Sequence, residues 1–381
     1  MKILFLDQSS GLGGAELCLA DIAYPYRETS LVAVFNEGPF PEYLRHHDIP
    51  VETLIQKAIE FQKASGIWQG LKSGSQILSL VSQVRDLSQQ YDVIYANTQK
   101  ALVVAALASV LGGRPFVYHL HDIVSPEHFS ATNRLLITRL ASMARLIIAN
   151  SQASKQAFLA AGGRARDIRV IYNGFRPEDY DSSDAERQAL RHSLGLSEDQ
   201  FVVGHFSRIS PWKGQHILLD AISRAPEHVV AILVGDALFG EDDYGQRLRQ
   251  DIERLGLGNR VRFLGFRSDI PQLMNSCDLV AHTSIAPEPF GRVIVEAMMC
   301  HRPVVAANAG GATELIQHGR TGWLTPPGDA EKLTQVILNG CNHPELVKQV
   351  AEAGYQSAYQ RFNLTHINQQ LKDAIEQVTG E

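Results

Sequence analysis

Two acids, Glu288 and Glu296, bracket the run EPFGRVIVE, which is otherwise apolar except for one Gly and one Arg. A helix that starts near Gly291 would leave Glu288 in the preceding loop and carry Glu296 more than one turn inside the helix. Because free amides at a helix start favour an anion, the backbone of Phe290 to Val293 is a candidate phosphate site between the two acids. Carboxylates accept hydrogen bonds from hydroxyls. The spacing indicates either a phosphate-bearing ligand with hydroxyls on both sides, or a turn acid followed by a helix-surface acid.

Two cations stand between a predicted strand and a predicted helix in the segment FSRISPWKGQHIL. Arg208 offers a planar fork of donors that suits phosphate oxygens, and Lys213 adds a mobile point charge. Either cation alone would be an ordinary surface residue. Placed together beside Gly214 at the mouth of a parallel sheet, the two predict a clamp for a diphosphate. A diphosphate with hydroxyls on each side is a nucleotide sugar, whose ribose would face Glu296 and whose sugar would face Glu288.

A glycine-rich turn, SSGLGGAEL, follows the first predicted strand. Gly11, Gly13 and Gly14 allow a tight turn and a close approach of backbone to a ligand. The helix that begins near Ala15 would aim its free amides at an anion. A dinucleotide fingerprint, G-x-G-x-x-G, would need a third glycine where Glu16 stands. An anion site and a plain strand-to-helix turn both stay open here, and an NAD-dependent oxidoreductase is the weaker alternative.

Histidines end another predicted strand in the segment VYHLHD. His119 and His121 share one face of that strand because side chains alternate with period two, and Asp122 follows directly. A strand-end histidine is often a structural hydrogen-bonding residue. A second histidine and an acid at the carboxyl end of the strand make a role in a site an equal alternative.

These candidate residues all lie after short apolar runs, each followed by a turn signal and a helix-period segment. Examples are KILFLD and DVIYAN in the first half, and FVVGHFSR and CDLVAHTS in the second. Continuous apolar strands that alternate with helices predict parallel sheets covered on both faces. Ligands of such sheets bind beyond the carboxyl ends of the strands. Since the pattern restarts near residue 200, we predict an α/β chain of two doubly wound domains, joined near residues 174–195.

Composition and charge exclude several classes of protein. A formal charge of −6, from 35 Lys+Arg and 41 Asp+Glu, gives no broad basic field for binding nucleic acid. Four cysteines, at positions 18, 277, 300 and 341, form no C-x-x-C pair and show no metal-ligand spacing, so we expect reduced thiols. No apolar stretch reaches the roughly 18 residues of a membrane span, and the N-terminus lacks a signal-peptide core. We therefore expect a cytoplasmic chain.

One basic segment, NRLLITRLASMARLII, has two interpretations. Arg134, Arg139 and Arg145 stand among apolar residues, as they would in a helix that covers the sheet and turns its arginines to water. The same pattern fits a basic face that rests on anionic lipid at the inner face of the membrane. Peripheral membrane contact therefore stays an alternative.

The combination of motifs resembles the retaining glycosyltransferases of family 4, which have the GT-B fold. The resemblance runs along nearly the whole chain, through GGAE, HLHD, NSQASKQAF, VIYNG and FSRISPWKG. Its most specific part is the Glu-x7-Glu element with PFG inside it, followed by RPVVA and GG. The resemblance implies two Rossmann-like domains that face a central cleft, residues 1–185 on the acceptor side and 186–361 on the nucleotide-sugar side. A C-terminal helix at about 362–381 would cross back onto the first domain.

The resemblance also implies roles for individual residues. Arg208 and Lys213 look like the diphosphate-binding pair. Glu296 resembles the acid that binds the ribose, Glu288 resembles the acid that contacts the donor sugar, and His121 matches a histidine near the reacting centre. The implied catalytic set is Glu288, His121, Arg208 and Lys213. The implied donor-binding set is Gly13, Gly14, Arg208, Lys213, Phe266, Arg267, Glu288, Phe290, Gly291, Arg292, Val293 and Glu296, with Phe266 and Arg267 lining the base pocket.

The implied reaction is transfer of a hexose, with retention, from a UDP-sugar to a hydroxyl of a glycan or lipid-linked glycan in cell-surface polysaccharide synthesis. UDP-glucose is the first choice of donor, and no metal or other cofactor is expected. The acceptor would be met by variable segments such as residues 38–75. A non-catalytic protein that binds sugar nucleotides would keep the same clamp, so it stays an alternative.

Two positions depart from the family pattern. Thr283 stands where a proline is common before Ser284, and His301 stands at a helix end where glycine is frequent. Histidine tolerates the left-handed conformation at some cost. Neither position belongs to the expected donor clamp, so neither change argues against transfer.

Overall fold

The structure is a computed structural model, and it describes residues 1–9, 11–54, 74–237 and 240–380. The chain divides into two compact units, Met1–Gly174 with Leu364–Glu381, and Phe175–Asn363. The change of unit between Gly174 and Phe175 comes earlier than the predicted boundary of 185/186. It does so because Phe175 and the residues after it pack in the second unit. The Phe175 ring lies 6.3 Å from that of Phe290, and the Tyr180 carbonyl accepts a hydrogen bond from Asn275.

The first unit is a parallel sheet flanked by helices. Its strands in the described residues are β1 (Ile3–Asp7), β2 (Leu31–Val34), β3 (Val51–Thr53), β4 (Val93–Ala96), β5 (Phe116–Leu120), β6 (Leu146–Ala149) and β7 (Ile168–Val170). Its helices before the change of unit are α1 (Gly14–Ala23), α2 (Pro39–His46), α3 (Gly74–Ser88), α4 (Gln99–Val110), α5 (Ala131–Ala141) and α6 (Gln152–Ala160).

The strand order of this sheet is β3-β2-β1-β4-β5-β6-β7, and its described pairings are parallel. Alternate residues of β1 pack on opposite faces, so that Ile3 and Phe5 enter one core while Leu4 and Leu6 enter the other. The order reverses between β1 and β4. Residues that follow these two strands therefore meet at a topological switch point, where α/β sheets bind their ligands.

The second unit repeats this architecture. Its strands in the described residues are β8 (Phe201–Phe206), β9 (Val229–Val234), β10 (Val261–Gly265), β11 (Leu279–His282), β12 (Val304–Ala307) and β13 (Trp323–Thr325). Its helices are α7 (Asp184–Ser193), α8 (Gln215–Ser223), α9 (Asp242–Arg254), α10 (Ile270–Ser276), α11 (Arg292–Met299), α12 (Ala312–Leu315), α13 (Ala330–Asn342) and α14 (Pro344–Phe362). The order β10-β9-β8-β11-β12-β13 places the switch point between β8 and β11.

The last helix, α15 (Leu364–Thr379), belongs to the first unit. Its apolar face packs into the same core as Ile3, Phe5 and Tyr95. Among the described residues, every helix is too short or too polar to cross a membrane. Of the segment 38–75, which we expected to contribute to acceptor binding, residues 55–73 lie outside the described residues.

Candidate functional site

The predicted clamp loop follows β8, and the loop of Glu288 follows β11. These strands are hydrogen-bonded neighbours, with Leu279 opposite Val203, so the two loops emerge side by side. A short 3-10 helix, Pro211–Lys213, leads into α8. The predicted start of α8 near Gly214 and of α11 near Gly291 agree with the structure, in which these glycines are the N-caps.

At Gly214 the backbones of the two loops are in close contact. It has φ +71°, and a Cβ atom there would lie 2.0 Å from the carbonyl oxygen of Thr283. The Thr283 hydroxyl donates to the Gly214 carbonyl at 2.8 Å, and Nε2 of His205 lies 3.0 Å from the same hydroxyl oxygen. The departure from proline at position 283 therefore supplies a hydrogen bond that positions the loop of Lys213.

Glu288 lies against two nitrogen groups and a hydroxyl. Its Oε1 pairs with Nζ of Lys213, and its Oε2 pairs with Nε2 of His282. Ser284 Oγ donates to Oε2 at 3.2 Å. Burial would raise the pKa of Glu288, but the charges and hydrogen bonds of Lys213 and His282 outweigh it and hold that pKa well below its usual range. We predicted that Lys213 binds the diphosphate and Glu288 the sugar hydroxyls, and in the structure, which holds no ligand, the two residues pair with each other.

His282 is a site residue that sequence reasoning missed. It is the last residue of β11 and only 7% exposed. A histidine at the carboxyl end of a parallel strand was the available signal, as it was for His121. What the sequence could not show is that the loop with Pro287 and Pro289 folds Glu288 back onto that histidine.

Two glycines after β12 support the loop that carries Glu288. Gly310 has φ +59°, and a Cβ there would lie 2.4 Å from the Glu288 carbonyl oxygen. A Cβ on Gly311 would lie 2.5 Å from the Pro289 carbonyl oxygen, and the Gly311 amide donates to Glu288 O at 2.8 Å. The GG pair thus allows two backbones to touch, which fixes the position of Glu288.

The start of α11 is formed by a glycine, and its first turn carries no acidic residue. Gly291 has φ +97° and caps the helix without any side-chain hydrogen bond. Phe290 is 2% exposed, and its ring packs on Phe175 and Phe362, so its side chain is part of the core. Any contact of Phe290 with a ligand would come from its backbone, and anion binding by the amides of Phe290 to Val293 stays a prediction.

Glu296 lies inside α11, as predicted, and is contacted by Arg292 from one turn earlier. Arg292 Nε lies 3.3 Å from Glu296 Oε1, and both side chains are largely buried. The guanidinium also lies 4.6 Å from the centre of the Phe175 ring. Arg292 therefore orients the carboxylate, a role that we had not predicted for its side chain.

Phe266 and Arg267 follow β10, at the same edge of the sheet. The Phe266 ring is 70% exposed, although its amide donates to Asp236 Oδ2 at 3.0 Å. Arg267 makes a two-pronged ion pair with Asp269, with distances of 2.6 and 2.7 Å. An exposed ring on an anchored backbone suits stacking on a nucleobase, which remains our prediction for this residue.

In the first unit, a carboxyl group of the chain itself occupies the start of α1. Gly13 is the N-cap, and Gly14 is the first helical residue. The carboxyl of Glu16 accepts hydrogen bonds from the Ser9 side chain and from the Gly13 and Glu16 amides, although burial raises its pKa. The Glu16 carboxyl thus binds two of the amides at this glycine turn, and a ligand anion beside Gly13 and Gly14 stays a prediction.

His121 belongs to a chain of polar contacts at the switch point of the first sheet. Its Nε2 donates to Asn97 Oδ1 at 2.9 Å, and Asn97 Nδ2 donates to Asp7 Oδ2 at 2.7 Å. Burial and the charge of Glu16 raise the pKa of Asp7 to about 7 against these hydrogen bonds. Asp7 and Asn97 were missed, although each stands at the carboxyl end of a buried strand. Asp122 accepts from Gln99 at 2.9 Å.

Asp179 and Asp181 form an Asp-x-Asp sequence, a motif that can mark a metal site. It lies at the end of the 3-10 helix Pro177–Tyr180. Asp179 Oδ2 is 4.0 Å from Arg176 Nη1. The two acids flank the buried Tyr180 and do not follow a strand. This Asp-x-Asp motif therefore lies away from the carboxyl edges of the two sheets.

Comparisons with known proteins place these features in a family. A family model described as Glycosyltransferase Family 4 matches residues 32–179, and one described as Glycosyl transferases group 1 matches residues 186–357. The crystal structure of HepE from Anabaena in complex with UDP-glucose is 54% identical, with a TM-score of 0.92, over 99% of this chain and 100% of that one.

More distant relatives agree in part. N-acetyl-alpha-D-glucosaminyl L-malate synthase of Bacillus anthracis is 29% identical over 54% of this chain and 53% of its own length. The chain thus spans about half the length of such curated relatives. Sucrose-phosphate synthase of Thermosynechococcus elongatus shares the fold. It is 18% identical, with a TM-score of 0.86, over 100% of this chain and 99% of that one.

Proposed function

Because the chain belongs to glycosyltransferase family 4 and has the GT-B fold, we propose that it transfers a hexose from a nucleotide-diphosphate sugar to a hydroxyl group. The acceptor in this proposal is a glycan or lipid-linked glycan in cell-surface polysaccharide synthesis. UDP-glucose is the donor that we favour, since HepE, 54% identical over its whole length, forms complexes with UDP-glucose and with UDP.

The observation that carries the proposal is the arrangement around Glu288. An ionised carboxylate, a lysine and a helix start with no acidic residue in its first turn converge at the switch point of the second sheet. Donor binding would break the pair between Lys213 and Glu288. Lys213 would then bind the diphosphate together with Arg208 and the α11 amides, and Glu288 would accept a hydrogen bond from a sugar hydroxyl. Each charge then keeps a partner, so the exchange leaves no buried charge unpaired.

The chemical step in this proposal is a displacement with retention at the anomeric carbon, and it needs no metal. The bond from the sugar to the diphosphate breaks, and the acceptor oxygen bonds on the same face. The proton of the acceptor hydroxyl passes to an oxygen of the leaving phosphate. Arg208, Lys213 and the helix amides stabilise the developing phosphate charge, which is commonly the largest electrostatic contribution to such catalysis.

Arg208→Ala tests the proposal. We expect release of UDP from UDP-glucose with acceptor to fall by about 100-fold or more, because one fixed cation is lost from the leaving group. The matched control is Arg224→Ala, directly after α8 in the same unit, where an exposed arginine pairs with Asp220 at 2.9 Å. Circular dichroism checks that both variants fold. Full activity in Arg208→Ala would remove the clamp from the mechanism.

A second assay separates an enzyme from a protein that only binds sugar nucleotides. Slow release of UDP without acceptor, abolished in Arg208→Ala, is expected of the transferase. A panel of UDP- and GDP-sugars, compared by thermal shift and by nucleotide release, identifies the base and the sugar. Binding of a donor without any nucleotide release under any condition would favour the sensor.

Peripheral membrane contact is part of the same proposal, through α5. Leu135 and Arg139 are exposed on α5, and Met143 and Arg145 are exposed just beyond its end. Such a face combines apolar side chains with cations that attract anionic lipid. We expect the protein to sediment with vesicles that contain anionic phosphatidylglycerol and to stay in solution with neutral vesicles; equal sedimentation with both would contradict a role for the arginines.

A further inference from the structure

Three side chains with metal-ligating atoms converge in the first unit. Cys18 lies on α1, His119 lies on β5, and His121 follows β5 directly. Their candidate ligand atoms all lie within 4.8 Å of one another. A thiolate and two imidazoles are ligands that Zn²⁺ favours, at about 2.3 Å for sulfur and about 2.0–2.1 Å for nitrogen. A contraction of the cluster would bring all three atoms to one ion.

The first independent observation is a buried nitrogen of His119. Nδ1 of His119 lies 2.6 Å from the Tyr95 hydroxyl, so Nε2 is the nitrogen left for a ligand. Within the described part of the chain, that Nε2 has no hydrogen-bond partner, although His119 is only 2% exposed. A buried imidazole nitrogen without a partner is costly unless something binds it.

The second observation is that the other two side chains have polar partners of the kind that orient metal ligands. Nε2 of His121 donates to Asn97 Oδ1 at 2.9 Å, which makes Nδ1 the nitrogen that carries the lone pair. Cys18 Sγ lies 3.4 Å from Asn173 Oδ1. Rotation of the Asn173 amide would present its NH₂ group to a thiolate. Partners such as these fix the tautomers and directions of ligands in metal sites.

We propose that Cys18, His119 and His121 bind one Zn²⁺ ion, with the fourth position of a tetrahedral site open to water or another small ligand. Binding forms one Zn–S bond and two Zn–N bonds. The proton of the Cys18 thiol leaves for solvent, and the His119 Nδ1–H donates to the Tyr95 oxygen. The spacing of cysteines along the sequence gave no sign of this site, because its other ligands are histidines about a hundred residues away.

The site has a consequence for activity that rests on the proposed function. His121 is one of the residues that we expect near the reacting centre, and zinc would take its lone pair. Bound zinc should therefore inhibit transfer, and removal of zinc by a chelator should restore it. Zinc binding itself depends only on the first unit, so it can be measured whether or not the chain transfers a sugar.

The test is a metal titration of the full chain after treatment with a chelator. We expect one equivalent of Zn²⁺ to bind in competition with a chromophoric chelator, and Co²⁺ to give a thiolate-to-metal charge-transfer absorption. Cys18→Ser should abolish that absorption and weaken zinc binding by about 100-fold or more. Cys341→Ser, a half-buried cysteine on α13 of the other unit, is the matched control and should behave as the unaltered protein does.

A second variant tests the site even if Cys18→Ser does not fold. His121→Asn removes one ligand from a half-buried position and should also weaken zinc binding, with far-UV circular dichroism unchanged. Failure of the unaltered protein to bind a stoichiometric ion would overturn the site. So would zinc binding that is equally tight in Cys18→Ser and His121→Asn. Loss of transfer in Arg208→Ala with zinc binding intact would support both proposals separately.

Discussion

Single residues at the second switch point combine burial with charge. Glu288 is largely buried yet ionised, because Lys213 and His282 lower its pKa more than burial raises it. The sequence predicted Glu288 and Lys213 as site residues from their loops after strands. It could not predict their pairing, because a contact between residues far apart in sequence depends on the register of β8 against β11. His282 was missed because the sequence could not show that the loop after β11 folds Glu288 back onto this histidine.

Glu288→Gln should lower the free energy of unfolding by about 3 kcal/mol at pH 7, because Lys213 loses its anionic partner in a largely buried place. The pKa of Glu288 is lowered in the folded chain, so its stabilising contribution is present above the unfolded pKa of about 4.3. That contribution is lost as the pH falls through the folded pKa. The difference between variant and unaltered protein should therefore shrink in acid, as urea unfolding at several pH values can measure.

Glu345→Gln is the matched control for this prediction. Glu345 pairs with Lys348 at 3.0 Å, but the two side chains are 78% and 73% exposed. An exposed pair of this kind contributes about 0.2–1 kcal/mol at most. A variant of Glu288 that is as stable as this control at every pH would show that the contact with Lys213 is not a stabilising pair.

Elements differ in how they use a glycine at a helix start. Both α1 and α11 begin at a glycine N-cap after a buried strand, and the sequence predicted both starts closely. The carboxyl of Glu16, in the first turn of α1, accepts hydrogen bonds from the Gly13 and Glu16 amides, whereas the first turn of α11 carries no acidic residue. Local sequence could not separate the two cases, because a glutamate in the first turn of a helix can equally point into solvent.

Gly310→Ala should displace the loop of Glu288. The left-handed φ of +59° alone would cost an alanine about 1 kcal/mol, and the new Cβ would lie 2.4 Å from the Glu288 carbonyl oxygen. We expect a further loss of about 1–3 kcal/mol from this overlap. Donor affinity should fall as well, because the carboxylate moves with its backbone. Thermal unfolding and calorimetry with UDP-glucose measure the two effects.

Gly319→Ala separates the overlap from the backbone strain. Gly319 has a similar φ of +74°, but a Cβ there would meet nothing within 4 Å. Gly319→Ala should therefore lose only the stability that a left-handed φ costs an alanine, about 1 kcal/mol, and should bind UDP-glucose as the unaltered protein does. If the two alanine variants lose the same stability and bind UDP-glucose equally, contact between Gly310 and Glu288 does not position the site.

At the scale of the whole molecule, the chain forms two α/β units and passes from one to the other twice, after Gly174 and after Asn363. The repeated pattern of strands and helices was sufficient to predict two doubly wound units. The change of unit after Gly174 lies at the start of the range 174–195 that the pattern predicted. The pattern could not place it more narrowly, because the segment after Gly174 has no strand and is held by aromatic contacts of Phe175. The return of the last helix was implied by the family resemblance, since amphipathic residues alone do not say which core they enter.

That last helix should be essential to the first unit. Ile367, Leu371 and Ile375 are each about 2% exposed or less in the core that contains Ile3 and Phe5. Burial of each such side chain contributes about 1.5–3 kcal/mol, so their sum is comparable with the 5–15 kcal/mol that stabilises a typical domain. A variant that ends at Asn363 should lose the folded structure of the first unit and keep that of the second.

Hydrogen exchange followed by mass spectrometry can measure this outcome, because peptides from β1 and β4 report on the first unit and peptides from β8 and β11 report on the second. Amides of β1 and β4 should exchange rapidly in the shortened protein, while those of β8 and β11 stay protected. Gln370→Ala, on the exposed side of α15, is the control and should leave both units protected. Protection of β1 and β4 without the helix would mean that the first core is stable on its own, because residues before Gly174 would then supply enough buried apolar surface.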